Sequence, residues 1–375
     1  MSDSDGVRTS VVVVGGGYAG IRVAKELDDV ADVTLVSPSD AFVHNVAAWR
    51  ALVEPVWLDQ IFMPYDRLLR NGRFVRDRAV DVDGRRVRLA SGKVLEPDYL
   101  VLATGSSYPF PAKTDAPDAE TARARFLGAH EDLLKADRAL LVGAGPTGLE
   151  LAGEIKAFFP DKHVTIVDAG PDVLHGPFDQ TLRDELRRQL KELGVEVLLG
   201  SPLRELPDTP PATYGEIVVT TEAGTKVTAD IWFQCFGLTP QTEYLGGTLA
   251  EARDANGYIR VDENLRVAGQ DRVFAIGDIG DADRNTGGNA TYQAMTVAAS
   301  IRTLITGEGE LGRWERSQPL IVVPLGPEGG ASWFPGDDGV LGLAGPEVTT
   351  GVKGKAMLVD MYSPLFDGPG GITED

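Results

Sequence analysis

Two glycine-rich turns of one form, Gly15-Gly16-Gly17-Tyr18-Ala19-Gly20 and Gly143-Ala144-Gly145-Pro146-Thr147-Gly148, constrain this 375-residue chain more than any other feature. Each follows a short apolar strand, Val11 to Val14 and Ala139 to Val142, and each opens a helical pattern, Ile21 to Leu27 and Leu149 to Phe159. In that setting the first glycine makes a tight turn and the second lets a pyrophosphate approach the backbone. The third brings helix against strand, and the helix N-terminus offers N–H groups and the positive end of its dipole. Two such turns imply two dinucleotides, and two dinucleotides side by side imply electron transfer between them.

The rest of the chain repeats this grammar. Strand 9–14, helix 18–28, strand 32–37 and a helix around 45–54 form one unit, followed by strands near 73–81 and 84–90 and the segment Tyr99 to Gly105. A linker rich in Pro, Ala and Asp runs from Tyr108 to Ala119. A second unit reads strand 138–142, helix 147–159, strand 163–168, helix 179–193 and strand 195–199. Beyond Gly237, an apolar strand ends in Ala275-Ile276-Gly277-Asp278, a helix runs from about Asn289 to Thr306, and the last stretch holds short strands with one helix, Thr349 to Tyr362. The expected fold class is α/β, with two Rossmann-like dinucleotide-binding domains, one inserted in the other, and a small C-terminal α+β domain. The expected boundaries are 1–110 with 237–315, 111–236, and 316–375.

A net charge of −20 disfavours nucleic acid and anionic membrane as partners. Cys235 is the single cysteine and lies in an apolar strand, so a redox disulfide is excluded. The acidic start Met1-Ser2-Asp3-Ser4-Asp5 has no signal character, and no apolar run approaches the roughly 18 residues of a membrane span. A cytoplasmic chain without integral membrane association is expected, with peripheral contact allowed. His130, His163 and His175 share no metal-ligand spacing, and no metal site is expected.

The residue closing the second strand of each unit governs ribose recognition, because a carboxylate there accepts bonds from both ribose hydroxyls. Asp168 holds that position in the second unit. It repels a 2′-phosphate, and no arginine follows within reach in sequence, so NADH is favoured over NADPH. In the first unit the position is Ser37, and a neutral hydrogen bond replacing a charged one costs about 1 kcal/mol of cofactor affinity. Asp40 is placed to compensate from the following loop.

Both glycine turns, Ala103-Thr104-Gly105 and Ala275-Ile276-Gly277-Asp278 together resemble the two-dinucleotide flavoprotein superfamily. Phe42-Val43-His44-Asn45-Val46-Ala47-Ala48-Trp49-Arg50-Ala51, Gly148 to Lys156, Tyr292 and Lys353-Gly354-Lys355 are similar to its apoptosis-inducing-factor-like, ferroptosis-suppressor branch of NAD(P)H:quinone oxidoreductases, related to type II NADH dehydrogenases. The resemblance implies FAD at Gly15, Gly17, Tyr18, Ala19 and Gly20, with Ser37, Asn45, Arg50, Val80, Ala103, Thr104, Gly105, Gly277, Asp278 and Tyr292 also contributing. It implies NADH at Gly143, Gly145, Thr147, Gly148, Asp168 and Gly237, with Glu150 near the nicotinamide and His44, Asn45 and Tyr292 near the isoalloxazine. The implied reaction passes hydride from NADH to flavin and two electrons on to a quinone. The tail Gly368 to Asp375 is polar and acidic, so a soluble or peripherally reached quinone is expected. Quinol formation needs protons. His44 titrates nearest neutrality, Glu150 gains proton affinity if buried, and Tyr292 is either an acid or a packing residue. A ferredoxin-like partner, a quinone-like natural product, or a role as a flavin-bearing NADH sensor stay open as alternatives, as does the choice of monomer or homodimer.

Overall fold

The computed structural model describes residues 8–336, 338–367 and 372–374. The acidic start and, apart from a strand at Ile372–Glu374, the polar tail lie outside them. Strand Ser10–Val14 is central in a six-stranded parallel sheet, between Asp32–Ser37 and Tyr99–Leu102, with Val273–Ala275, Arg73–Arg76 and Ile372–Glu374 completing it. A run of valines suits this place because both sheet faces are covered. Helices Tyr18–Leu27 and Gly287–Thr306 pack on one face through Ile21, Leu27, Val297 and Ile301. The other face carries Val12, Val14 and Leu100 against Val82, Val87 and Leu89 of a small antiparallel sheet.

The second parallel sheet has the order Glu196–Leu198, His163–Val167, Arg138–Val142, Ile231–Gln234. It interrupts the first in sequence. The two chain crossings between the sheets run side by side, Ser106–Ser107 pairing antiparallel with Thr239–Pro240. The molecule is thus a mixed α/β protein with two dinucleotide-binding folds.

Two local expectations change. The residues after the linker form a 17-residue helix, Ala119–Lys135, capped by Asp118, whose carboxylate accepts the Thr121 N–H at 2.7 Å. Its buried Ala122, Phe126, Ala129 and Leu133 keep helical spacing but make a weak stripe among many charges. The single helix expected over Thr349 to Tyr362 is instead three short turns, Pro346–Thr349, Thr350–Gly354 and Val359–Tyr362. Met357 and Leu358 adopt left-handed backbone, φ +49° and +61°, which breaks the helix between the second and third.

An antiparallel sheet, Ile321–Leu325, Gly329–Pro335 and Leu341–Ala344, packs on helix Pro146–Phe158. Its approach is close enough that a Cβ on Gly153 would stand 2.3 Å from Leu325 Cα, a backbone atom that cannot swing aside. Gly153→Ala is therefore expected to lower unfolding stability by about 1–3 kcal/mol, read as a fall in the urea midpoint. An unchanged midpoint would show that the sheet does not depend on this contact.

Candidate active site between the two glycine loops

The two loops are built alike. Gly15 (φ +112°) lies under Ala103, whose carbonyl oxygen would stand 2.2 Å from an added Cβ; Gly143 (φ +116°) lies under Cys235, with the corresponding distance 2.8 Å. A Cβ added to Gly20 or Gly148 would stand 1.8 or 2.0 Å from Gly15 O or Gly143 O, so only glycine fits at either place. The middle glycines differ: a Cβ on Gly17 or Gly145 would meet nothing within 4 Å. Both are helix N-caps without a side-chain cap, so open space faces the uncapped N–H groups of the first turn, as a pyrophosphate requires. The residues present fit two dinucleotides.

Around the first loop, Gly277 (φ +73°) fits between Ala19 and Ala290 and donates its N–H to Gln293 Oε1 at 2.7 Å. Asp278 Oδ2 accepts from Ser106 Oγ at 2.5 Å and Lys113 Nζ at 3.0 Å. Lys113 was not foreseen, because nothing in the linker marks it as the partner of a residue 165 positions away. Thr104 Oγ1 donates to Gln241 O at 2.7 Å, and Gly105 turns with φ +68°. Ser37 is buried beside the Tyr65 phenol, which donates to Gly16 O at 2.7 Å. Two neutral hydroxyl groups therefore stand where a carboxylate is usual. Asp40 Oδ1 accepts the Ala119 N–H at 2.8 Å, which ties it to the start of helix Ala119–Lys135. Val80 is part-exposed in the small antiparallel sheet.

Between the loops lies a cluster closed by the C-terminal turns. Val46 N–H donates to Tyr18 Oη at 3.0 Å, and Tyr18 Oη stands 3.2 Å from His44 Nδ1. His44 Nε2 is 2.7 Å from Met357 O, so that nitrogen carries the proton and Nδ1 accepts. Tyr362 packs against Tyr18, Phe42 and His44. Burial, with Lys353 nearby adding to it, lowers the His44 pKa from the usual 6.5 to about 4. His44 is a neutral, fully buried anchor for Met357 at neutral pH, and the expectation that it titrates there is corrected. Glu150 is buried and its Oε1 is 2.6 Å from Lys353 Nζ. Burial raises its proton affinity while Lys353 pulls the other way. One turn on, Glu154 takes Arg50 through Nε and Nη2 at 2.6 and 2.8 Å, and Arg50 Nη2 also donates to Gly354 O at 3.0 Å. Arg50, expected on the cofactor, is buried with its Nε and Nη2 committed to protein, where it ties three elements together.

At the second loop, Thr147 faces the Tyr108 phenol, and Gly237 (φ +103°) lies in the crossing back to the first sheet. Asp168 accepts the Ala144 N–H at 2.5 Å and the Gly170 N–H at 2.6 Å, and His175 Nε2 stands 2.9 Å from its Oδ1. Arg183 and Arg187 reach this loop from the next helix, a proximity the linear sequence does not show. Tyr292 is exposed and lines a groove of about 510 Å³ with Thr286, Trp314, Leu320, Pro335 and Leu341. Among the described residues no group of three His, Cys, Asp or Glu side chains is placed to hold a metal ion, and no helix is long and apolar enough to cross a membrane.

Residues 9–300 match the model of the pyridine nucleotide-disulphide oxidoreductases. The chain belongs to that family. It is 30% identical to apoptosis-inducing factor homolog B of Dictyostelium discoideum, over 96% of this chain and 97% of that protein. It is 33% identical to ferroptosis suppressor protein 1 of Mus musculus, over 72% and 74%. Among solved structures, the sulfide:quinone oxidoreductase of Aquifex aeolicus shares the fold with a TM-score of 0.75 at 19% identity, covering 96% of this chain and 91% of that one. The type II dehydrogenase NDH2 of Plasmodium falciparum, in complex with NADH, gives 0.70 at 15%, covering 87% and 90%. This is a flavoprotein oxidoreductase of the branch its motifs resemble.

Membership brings no disulfide chemistry here. Cys235 is the only cysteine, and burial pushes its thiol well above the usual range. The buried neutral imidazole of His44 has a consequence for stability. Its folded-state pKa lies below its unfolded value, so the unfolded chain binds more protons between about pH 6.5 and pH 4. His44 thus favours unfolding as pH falls through that window. His44→Gln is expected to flatten the decline of the urea midpoint there, and an equal decline in both proteins would contradict the assignment.

Proposed function

We propose that the protein passes two electrons from NADH, through FAD held by the first glycine loop, to a quinone or quinone-like acceptor bound at Tyr292. Bound FAD supplies the two-electron relay between donor and acceptor. The observation that carries the reading is the place of the groove. Gly287, between the groove residues Thr286 and Gly288, lies over the ring of Tyr18 at the first loop, where a Cβ on Gly287 would stand 3.7 Å from the ring. Beneath the next turn, Thr291 Oγ1 is 3.1 Å from Tyr362 Oη, which backs onto His44. An apolar acceptor in this groove is therefore separated from the inter-loop cluster by one layer of aromatic side chains. With no redox cysteine, electrons go directly to such an acceptor.

Protons for the product come from the remaining buried pair. Burial raises the proton affinity of Glu150 and Lys353 holds it at 2.6 Å, so the pair is the proton store in this reading while His44 stays neutral. Asp168 favours the 2′-hydroxyl of NADH over the phosphate of NADPH.

Anaerobic stopped-flow mixing tests the reading. NADH is expected to bleach the visible flavin band and a short-chain quinone to restore it at once. A protein that takes up no flavin, or a bleached band that quinone leaves unchanged, would overturn it. Tyr292→Ala is expected to raise KM for the quinone several-fold, about 1 kcal/mol of lost ring contact, with KM for NADH unchanged.

A further inference from the structure

We propose that His175 tunes the choice between NADH and NADPH, by competing with ribose hydroxyls for Asp168 and by donating a hydrogen bond to a 2′-phosphate. The proposal rests on the second loop being the nicotinamide cofactor's site.

The imidazole sits where a ribose would have to arrive. Asp168 Oδ2 is spent on the Ala144 N–H, and Oδ1 already holds the Gly170 N–H when His175 Nε2 reaches it at 2.9 Å. Asp168 is 9% exposed while His175 is 54% exposed, so the ring is the outer partner, open to solvent. A ribose diol that bonds Asp168 must displace it.

The position of His175 is built. The preceding Leu174 has φ +54°, a conformation that costs a branched residue energy, and its N–H donates to Ala144 O at 2.8 Å. Ala144 of the glycine loop is thus held on one side by Asp168 and on the other by Leu174. Arg183, from helix Gln180–Glu192, donates to Leu174 O at 3.3 Å and Gly176 O at 2.7 Å. Gly170 makes room for the ring: a Cβ there would stand 2.4 Å from His175 Cε1.

The charged groups around the ring are Asp168 at the strand end, Asp172 in its own loop, and Arg183 and Arg187 from the helix. Arg187 is paired with Asp172 at 3.0 Å and with Asp184, and Arg183 is spent on carbonyls. His175 is the basic side chain in contact with Asp168. It gives up a single hydrogen bond when a ribose hydroxyl takes its place, and its ring N–H can instead donate to the oxygens of a 2′-phosphate, which the Asp168 carboxylate repels. His175 therefore weakens the preference for NADH that Asp168 alone would set.

Titration calorimetry of the intact flavoprotein with ADP-ribose and with its 2′-phosphate, both at neutral pH, tests this without turnover. His175→Ala is expected to bind ADP-ribose more tightly than the wild type and the 2′-phosphate compound more weakly, so that the ratio of the two affinities moves about tenfold, equivalent to about 1.4 kcal/mol. An Ala variant with both affinities unchanged, or with both moved equally in one direction, would overturn the proposal. If neither compound bound the wild type, the reading of the second loop would fall, and this proposal with it.

Discussion

The bidentate pair of Arg50 and Glu154 holds together the three parts of the chain that meet at the site. Both side chains are buried, and the guanidinium lies about equally far from the rings of Trp57 and Phe158, 5.3 and 5.5 Å. Removing one partner of such a pair typically costs about 3–5 kcal/mol, because the other charge stays buried without compensation. Here the third donor, Nη2 to Gly354 O, extends the tie to the C-terminal turns. Lys353 is the residue before that carbonyl, and Glu150 is one helical turn before Glu154. Fixing Gly354 over the helix therefore brings the Lys353 ammonium onto Glu150. Two buried carboxylates on one helix face each receive their own cation.

The same economy shapes the two glycine loops. Each needs its first glycine to pass under a backbone carbonyl at the end of a neighbouring strand, Ala103 in one fold and Cys235 in the other. A small side chain is wanted at that place, and Cys235 Cβ already lies 3.3 Å from where a Cβ on Gly148 would be. The lone cysteine is explained by packing against the loop, and its inert thiol agrees with a flavoprotein that hands electrons on without a disulfide.

What was legible in the sequence is what local sterics dictate. Gly20 and Gly148 can be read from spacing because each excludes a Cβ against a carbonyl five residues back, and Gly15 and Gly143 because each turn needs a positive φ; the strands that pass over them, ending at Ala103 and Cys235, are distant in sequence. The buried valine run of the first strand and the strand-end place of Asp168 follow from the same local periodicity. Helix Ala119–Lys135 was hidden because its apolar stripe is diluted by charge. The partnerships that make the site were hidden by distance: Glu150 and Lys353 are 203 residues apart, and His44 and Met357 are 313. His44 reads as a titrating residue in sequence because only the folded chain shows Tyr362 and the C-terminal turns closing over it. Arg183 and Arg187 are a loop and a helix turn beyond Asp168, too far along the chain to be read as its neighbours.

The central claim is that Glu150 and Lys353 act as one proton-holding unit, and a double-mutant cycle on quinone turnover tests it most directly. Glu150→Gln and Lys353→Met are each expected to slow turnover about a hundredfold, with the double variant no slower than the worse single one. Losses that multiply in the double variant would show two residues working independently and would contradict the account.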